Sequence, residues 1–332
     1  MIPFLPSILA ASIAAAAPPP TIHIGLGGEY KLVVNESSDH EFSTPWFDNL
    51  ITDIGLDRPP TGLTWCQYGS IGTGTTAPAN GNTALQAYTA QVNGATPDSN
   101  SNVGTPTYVS QGTIRWAFVQ GAVVGNMAEV GVGWGAGGTN LFSRALILDG
   151  GGAPTTLTLT SLDQLTMYYR LTMTPVVTDL TGTVALGGQT YNYVGRICQA
   201  NQWNSNIPGS LLASNGAWPK GGSASGVCMH AYSTQTLGAV NLTPSGTVSN
   251  GAGNGTITYG SYSAGQKYQD STFTAVPSEC NSAGGVGSIV FDWGISQMTY
   301  QYSFANVTGG TVIPKDNTKT MAFTIRLSWD RA

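Results

Sequence analysis

The stretch TTLTLTSLDQLTMYYRLTMTP, residues 155–175, decides the fold. It is a run of β-branched and aromatic residues entered from Gly150-Gly151-Gly152 and closed by Pro175, and that composition between turn residues reads as strand. Working outward, the same reading repeats. GTIRWAFVQG (112–121), NMAEVGVGW (126–134) and LFSRALILDG (141–150) precede it; GTVALGGQTYNYVGRI (182–197), TITYGSYS (256–263), SIVFDWG (288–294), MTYQYSFA (298–305) and KTMAFTIRLSW (319–329) follow. Each run is bounded by Gly, Asn, Asp or Pro, so at least ten strands are expected. No alternation of strands with helices appears. An antiparallel β-sandwich or jelly-roll-like fold is therefore predicted, and a parallel dinucleotide-binding sheet is not.

The flanks carry less certain elements. IHIGLGGEYKLVVNE (22–36) alternates apolar and polar residues and reads as a strand pair with a Gly turn; TALQAYTAQV (83–92) reads as one or two helical turns; LITDIGLDR (50–58) suits a short helix or a strand. In PWFDNLITDIGLDRPP (45–60), Pro59 and Pro60 end a segment because they donate no ladder hydrogen bonds. Trp46, Phe47, Leu50, Ile51, Ile54 and Leu56 then read as a core-facing cluster. The region from about 199 to 286 is richest in Gly, Ser and Asn, which predicts a loop-rich insertion in a single β domain spanning 21–332.

Composition agrees. Only 9% of the 332 residues are charged, against roughly 25% in an average soluble protein, and Gly occupies 44 positions. Exposed helix faces need Glu, Lys and Arg, so this balance favours strands, turns and surfaces covered by other subunits. Twelve Lys and Arg, scattered singly in a chain of net charge -5, leave no basic patch for nucleic acid.

MIPFLPSILAASIAAAAPPP (1–20) imitates a secretory signal but lacks its cationic start, and the apolar run is too short and too broken by Pro3 and Pro6 to span a bilayer. It is expected to remain as an extended anchor peptide that docks through Ile2, Phe4, Leu5, Ile8 and Leu9 on a neighbouring subunit. No membrane contact is expected.

Chemistry-bearing motifs are sparse. GVGWGAGG (131–138) has dinucleotide-type glycine spacing, but a loop and a strand follow it where a helix N-terminus is needed, so no cofactor is assigned. His23, His40 and His230 are the only imidazoles, and Ser143, Ser225 and Cys228 lie in no nucleophile motif. The downstream acids Asp149, Asp163, Asp179, Asp270, Glu279 and Asp292 would have to pair from distant strands to cleave a glycoside. No catalytic residue and no metal ligand is assigned; Cys66, Cys198, Cys228 and Cys280 have no zinc spacing, and a Cys198–Cys228 bridge is compatible with the count alone. Trp203, Trp218, Tyr262 and Tyr268 are candidates for outward-facing contacts, either stacking on sugars or capping small clusters beneath loops.

Four stretches in order, WFDNLITDIGLD (46–57), CQYGSIGTGTTAPANGNTALQAYTAQV (66–92), the run from Ala128 through Pro175, and IPKDNTKTMAFTIRLSW (313–329), resemble the tail-fibre and tail-associated structural proteins of tailed bacteriophages. The resemblance covers about residues 25–195 and 285–332; the 199–286 region and the apolar N-terminus depart from it. It implies a non-enzymatic virion subunit of the tail or neck, a fibre, fibre-anchoring or adaptor protein assembled in the bacterial cytoplasm. Its partners would be other virion proteins of the neck, tail or capsid and further copies of itself, a trimer among the stoichiometries. A capsid decoration protein and a receptor protein that binds or depolymerises host glycan are the alternatives.

Overall fold

The computed structural model describes residues 18–61, 63–103, 108–198, 229–245, 256–282, 284–293 and 298–332. Strands, numbered in chain order, dominate; a four-residue helix α1 (Asp53–Leu56) and a 3-10 turn (Pro59–Thr61) are the helical elements among the described residues. A nine-stranded long sheet runs β17 (Thr256–Tyr259), β18 (Tyr268–Ala275), β21 (Met321–Arg331), β1 (Thr21–Val34), β13 (Leu165–Pro175), β8 (Val109–Ala117) and β7 (Thr96–Val103), with β2 (Phe42–Ser43) and β3 (Phe47–Asp48) adding to β1. Two five-stranded sheets cover one face of it. Cover sheet I runs β4 (Leu50–Ile51), β11 (Thr139–Leu146), β10 (Glu129–Gly135), β5 (Tyr68–Gly72) and β6 (Tyr88–Asn93). Cover sheet II runs β14 (Leu180–Leu186), β15 (Gln189–Cys198), β20 (Met298–Asn306), β19 (Ser288–Trp293) and β16 (Met229–Tyr232). The short strands β9 (Gly125–Met127) and β12 (Leu157–Leu159) pair with each other.

The expected all-β antiparallel sandwich is the fold, and the stretch that announced it supplies a central strand. Along β13, Met167, Tyr169, Leu171 and Met173 are buried while Tyr168, Arg170, Thr172 and Thr174 are half-buried on the opposite face, the two-residue period of a strand with one wet side. The inward set meets Ile24, Leu26, Tyr30 and Leu32 of β1 and Ile114 and Trp116 of β8 in one contiguous core. Against cover sheet I this core is aromatic: Tyr169 packs edge-on to Phe142, which stacks on Trp65 at 5.6 Å. Against cover sheet II it is aromatic again, with Phe323 of β21 touching Phe291, Tyr302 and Phe304. The sheets approach closely at Gly69, where a Cβ would lie 2.4 Å from Met167 Cε and 2.7 Å from the Trp116 ring.

Three sequence expectations are corrected. Residues 22–36 do not fold into a strand pair; β1 is one continuous strand of 14 residues. Its glycines give room and do not turn the chain: a Cβ on Gly28 would sit 2.5 Å from the Asn49 side chain and 2.6 Å from Tyr169 Oη. Residues 83–92 are not helical: Ala84 bridges to Thr139, and β6 pairs with β5, so the ladder overrides local helix preference. Within the 199–286 region the strand expected at 256–263 is β17, and β16 and β18 also lie there, β18 as an inner strand of the long sheet. The expected core signature of 45–60 is also divided. Phe47, Ile51 and Leu56 are buried, whereas Trp46, Leu50 and Ile54 are only half-buried. Alternation through β3 and β4 turns Trp46 and Leu50 away from the core, and Ile54 lies on the outer side of α1.

LITDIGLDR is both a strand and a helix. Leu50–Ile51 pairs with β11, and Thr52 then caps α1 by accepting from Gly55 N at 2.9 Å while donating to Leu141 O at 2.6 Å. Pro59 and Pro60 are buried in the 3-10 turn that follows. No helix among the described residues is long and apolar enough to cross a membrane.

Candidate assembly surface

The uncovered face of the long sheet gathers polar chemistry from segments far apart in sequence. Strand register sets Glu29 opposite Arg170, Lys31 opposite Tyr168, Tyr168 opposite Arg115, and Arg326 opposite Asp270. Cross-strand neighbours on one face are close enough to pair, and they do. Arg170 donates through Nε and Nη2 to Glu29 Oε2 at 2.8 and 2.6 Å; Arg326 donates to both carboxylate oxygens of Asp270 at 2.7 and 3.0 Å; Tyr168 donates to Glu36, and Arg115 lies 3.6 Å from the same carboxylate. Gln111 donates to Thr172, Thr272 shares a hydrogen bond with Thr324, and His23 meets Ser328 at 3.1 Å.

The rings on this face lie beneath guanidinium groups. Arg170 sits 4.2 Å above the Trp46 ring, Arg326 sits 3.6 Å above Tyr268, and Trp46 packs edge-on to Tyr168. Each arginine therefore serves a carboxylate and an aromatic ring together, which fixes a side chain that would otherwise be mobile. Arg326 is held further toward its charged form by its hydrogen bonds to Asp270. Individually such half-exposed pairs are worth about 0–1 kcal/mol. Collectively they make a cross-linked polar platform across the long sheet.

Tyr268 thus belongs to this platform, covered by Arg326 and not bare to solvent. Of the two alternatives for Tyr262, the geometry is that of a cap: it stacks on Trp329 at 5.8 Å and its hydroxyl donates to Asp57 at 2.5 Å, where Lys267 also binds at 2.7 Å. It caps a cluster beneath its loop. Trp203, Trp218 and the anchor side chains Ile2, Phe4, Leu5, Ile8 and Leu9 lie outside the described residues, as do Ser225 and Cys228.

Several residues weighed for catalysis have structural duties. Ser143 is buried and bound to Tyr30 Oη at 2.6 Å and to Asn49 at 3.1 Å. Asp149 accepts from the amides of Gly151 and Ala153, Asp163 from Thr160 and Asn35, and Glu279 from Val276 N; Asp179 pairs with Arg196, and Asp270 is in the platform. The glycines of GVGWGAGG form the end of β10 and its turn into β11. Cys66 and Cys280 are buried, and burial raises both thiols, Cys280 to about 11. No group of His, Cys, Asp and Glu able to hold a metal occurs among the described residues.

Two residues that the sequence reading passed over organise cover sheet I. Arg144 and Glu129, both buried, pair at 2.7 Å. The Glu129 carboxylate also accepts from the amides of Gly74, Gln86 and Ala87, and Arg144 reaches Asn82 Oδ1 and Thr76 O, each at 2.9 Å. The pair thereby pins the 73–87 loop to the sheet. Gly74 is required for this approach, since a Cβ there would lie 2.3 Å from Glu129 Oε1.

Comparison with known proteins returns no matching family model, no matching curated protein and no matching solved structure.

Proposed function

We propose that this protein is a structural subunit of a tailed-bacteriophage virion, situated at the tail or neck, that works by assembly and attachment and carries no catalytic step. The observation that carries the reading is the preorganised polar platform on the open face of the long sheet. Its guanidinium, carboxylate and aromatic groups are already locked in place, so a partner that docks there meets a rigid surface and orders few side chains on binding. The ordered resemblance of four stretches to tail-associated proteins supports the same reading, as does a charge-poor composition in which hydrogen bonding and apolar burial carry contacts between subunits. Other virion proteins and further copies of the chain are the proposed partners.

Imaging of intact particles with an antibody against this chain tests it. Label at the tail or neck is expected. Label over the head surface would favour capsid decoration, and particles that carry none of the chain would overturn the proposal. Arg170→Ala and Arg326→Ala, which uncover the rings without entering the core, are expected to reduce incorporation into particles while the isolated protein stays folded.

A further inference from the structure

We infer that β14 is a self-pairing edge through which two copies of this chain join cover sheet II into one continuous sheet about a two-fold axis. An edge strand presents unpaired backbone groups, and folded proteins blunt such edges with short length, charge, proline or a bulge. Among the described residues, the outer strands of the other long edges are blunted. β4 has two residues, β16 and β17 have four each, β7 contains Pro97 and Asp98 with a register shift between Pro97 and Ser99, and β6 has a register shift against β5. β14, LTGTVAL, has seven residues with no charge, no proline and an unbroken register to β15.

The geometry of its hairpin shows which groups are offered. Leu186 and Gln189 close the two-residue turn Gly187-Gly188, both glycines at positive φ, so Leu186, Val184, Gly182 and Leu180 exchange hydrogen bonds with β15. The N–H and C=O groups of Thr181, Thr183 and Ala185 then point away from the sheet. Among the described residues they meet no partner.

The occupant is a second copy because the strand is complementary to itself. Antiparallel pairing centred on Thr183 sets Thr183 against its mate, Thr181 against Ala185, Gly182 against Val184 and Leu180 against Leu186. Leu180 and Val184, which pack on the core, and buried Leu186 would extend that apolar face across the axis, while Thr181, Thr183 and Ala185 stay on the exposed face. Without charge on the strand, no like-charge contact opposes this pairing. The inference uses the backbone register and side-chain alternation of β14 and does not depend on the tail or neck placement.

The full chain is studied by light scattering over a dilution series, with Thr183→Cys as an axis probe and Thr190→Cys, on the neighbouring strand, as control. Residues facing each other across a hydrogen-bonded antiparallel pair lie about 5.5 Å apart at Cα, within disulfide reach. A dimer is expected, with oxidation cross-linking Thr183→Cys and neither the control nor the unmodified chain. Thr183→Pro removes an outward N–H that the fold does not use, and is expected to weaken the dimer about tenfold or more while the melting temperature of the monomer, read at a dilution where both proteins are monomeric, is unchanged. Thr183→Lys, which sets like charges on the axis, is expected to do the same and decides the matter if the proline variant misfolds. A monomer at every concentration, equal cross-linking of both cysteine variants, or an oligomer that survives both substitutions overturns the inference.

Discussion

Replacing Arg144 with methionine tests whether the buried ion pair of cover sheet I is a fastening or a passive resident. The substitution leaves the Glu129 carboxylate buried with its three amide donors but without its counter-charge, takes the Arg144 donor from Thr76 O, and leaves Asn82 Oδ1 with the Ala79 amide alone. Breaking a buried pair from one side costs about 3–5 kcal/mol. For a chain of this size each kcal/mol lowers the melting temperature by about 2 °C, so a fall of roughly 6–10 °C is expected. The double variant Glu129→Leu, Arg144→Met sharpens the test. Where a buried pair serves only itself, apolar replacement is often neutral or stabilising. Here the carboxylate also satisfies the buried Gly74 amide and the part-buried amides of Gln86 and Ala87, and an orphaned buried amide costs about 1–3 kcal/mol. The double variant should therefore remain at least about 1 kcal/mol less stable than the parent. Calorimetry of the three proteins at one pH gives the comparison, and a double variant as stable as the parent would refute the reasoning.

Other perturbations have defined outcomes. Gly69→Ala drives a methyl into Met167 and Trp116, an overpacking that costs about 1–3 kcal/mol, read as a lower urea midpoint. At Asp57, burial alone would raise the carboxyl pKa, but hydrogen bonds from Lys267 and Tyr262 outweigh it and hold the group below its ordinary value. The stability it contributes is therefore present above the unfolded-state pKa of about 3.9 and is lost as pH falls through the lower folded value. Asp57→Asn should flatten stability against pH in that acid range, and an unchanged acid limb would count against the assignment. Cys66 and Cys280, buried with raised thiol pKa values, should resist alkylation at pH 8 in the native protein and react on unfolding, as read by peptide mapping.

What could be read from the sequence depended on whether a signal was local. The strand character of 155–175 lies within one short run, because β-branched and aromatic composition between turns needs no distant partner to be recognised. The pairing of Arg170 with Glu29 spans 141 residues and that of Lys267 with Asp57 spans 210, so neither leaves a spacing to find. Even Glu129 and Arg144, 15 residues apart, meet only because β10 and β11 fold back on each other. The alternation LTMYYRLTMT does hold a usable clue, since it sets Tyr168 and Arg170 on one face of a strand whose other face is wholly apolar. Trp46 misled for the complementary reason: a large ring beside Phe47 suggests core, yet neighbours in a strand point to opposite sides.

The placement of β21 bears on how the chain is made. Thr21–Leu26 of β1 pairs in parallel with Arg326–Arg331, and β21 lies between β1 and β18. On the ribosome, the strand that emerges early gains β13 on one side but must wait for one synthesised some 300 residues later before its first residues have a neighbour on the other. Until then β1 and β18 each present a bare ladder of backbone groups, in a topology whose long-range closure is inherently slow. Arrival of β21, and not growth of the first sheet, is thus the event that commits this protein to its native form, and a nascent chain stalled before residue 321 should be an aggregation-prone species rather than a stable fragment.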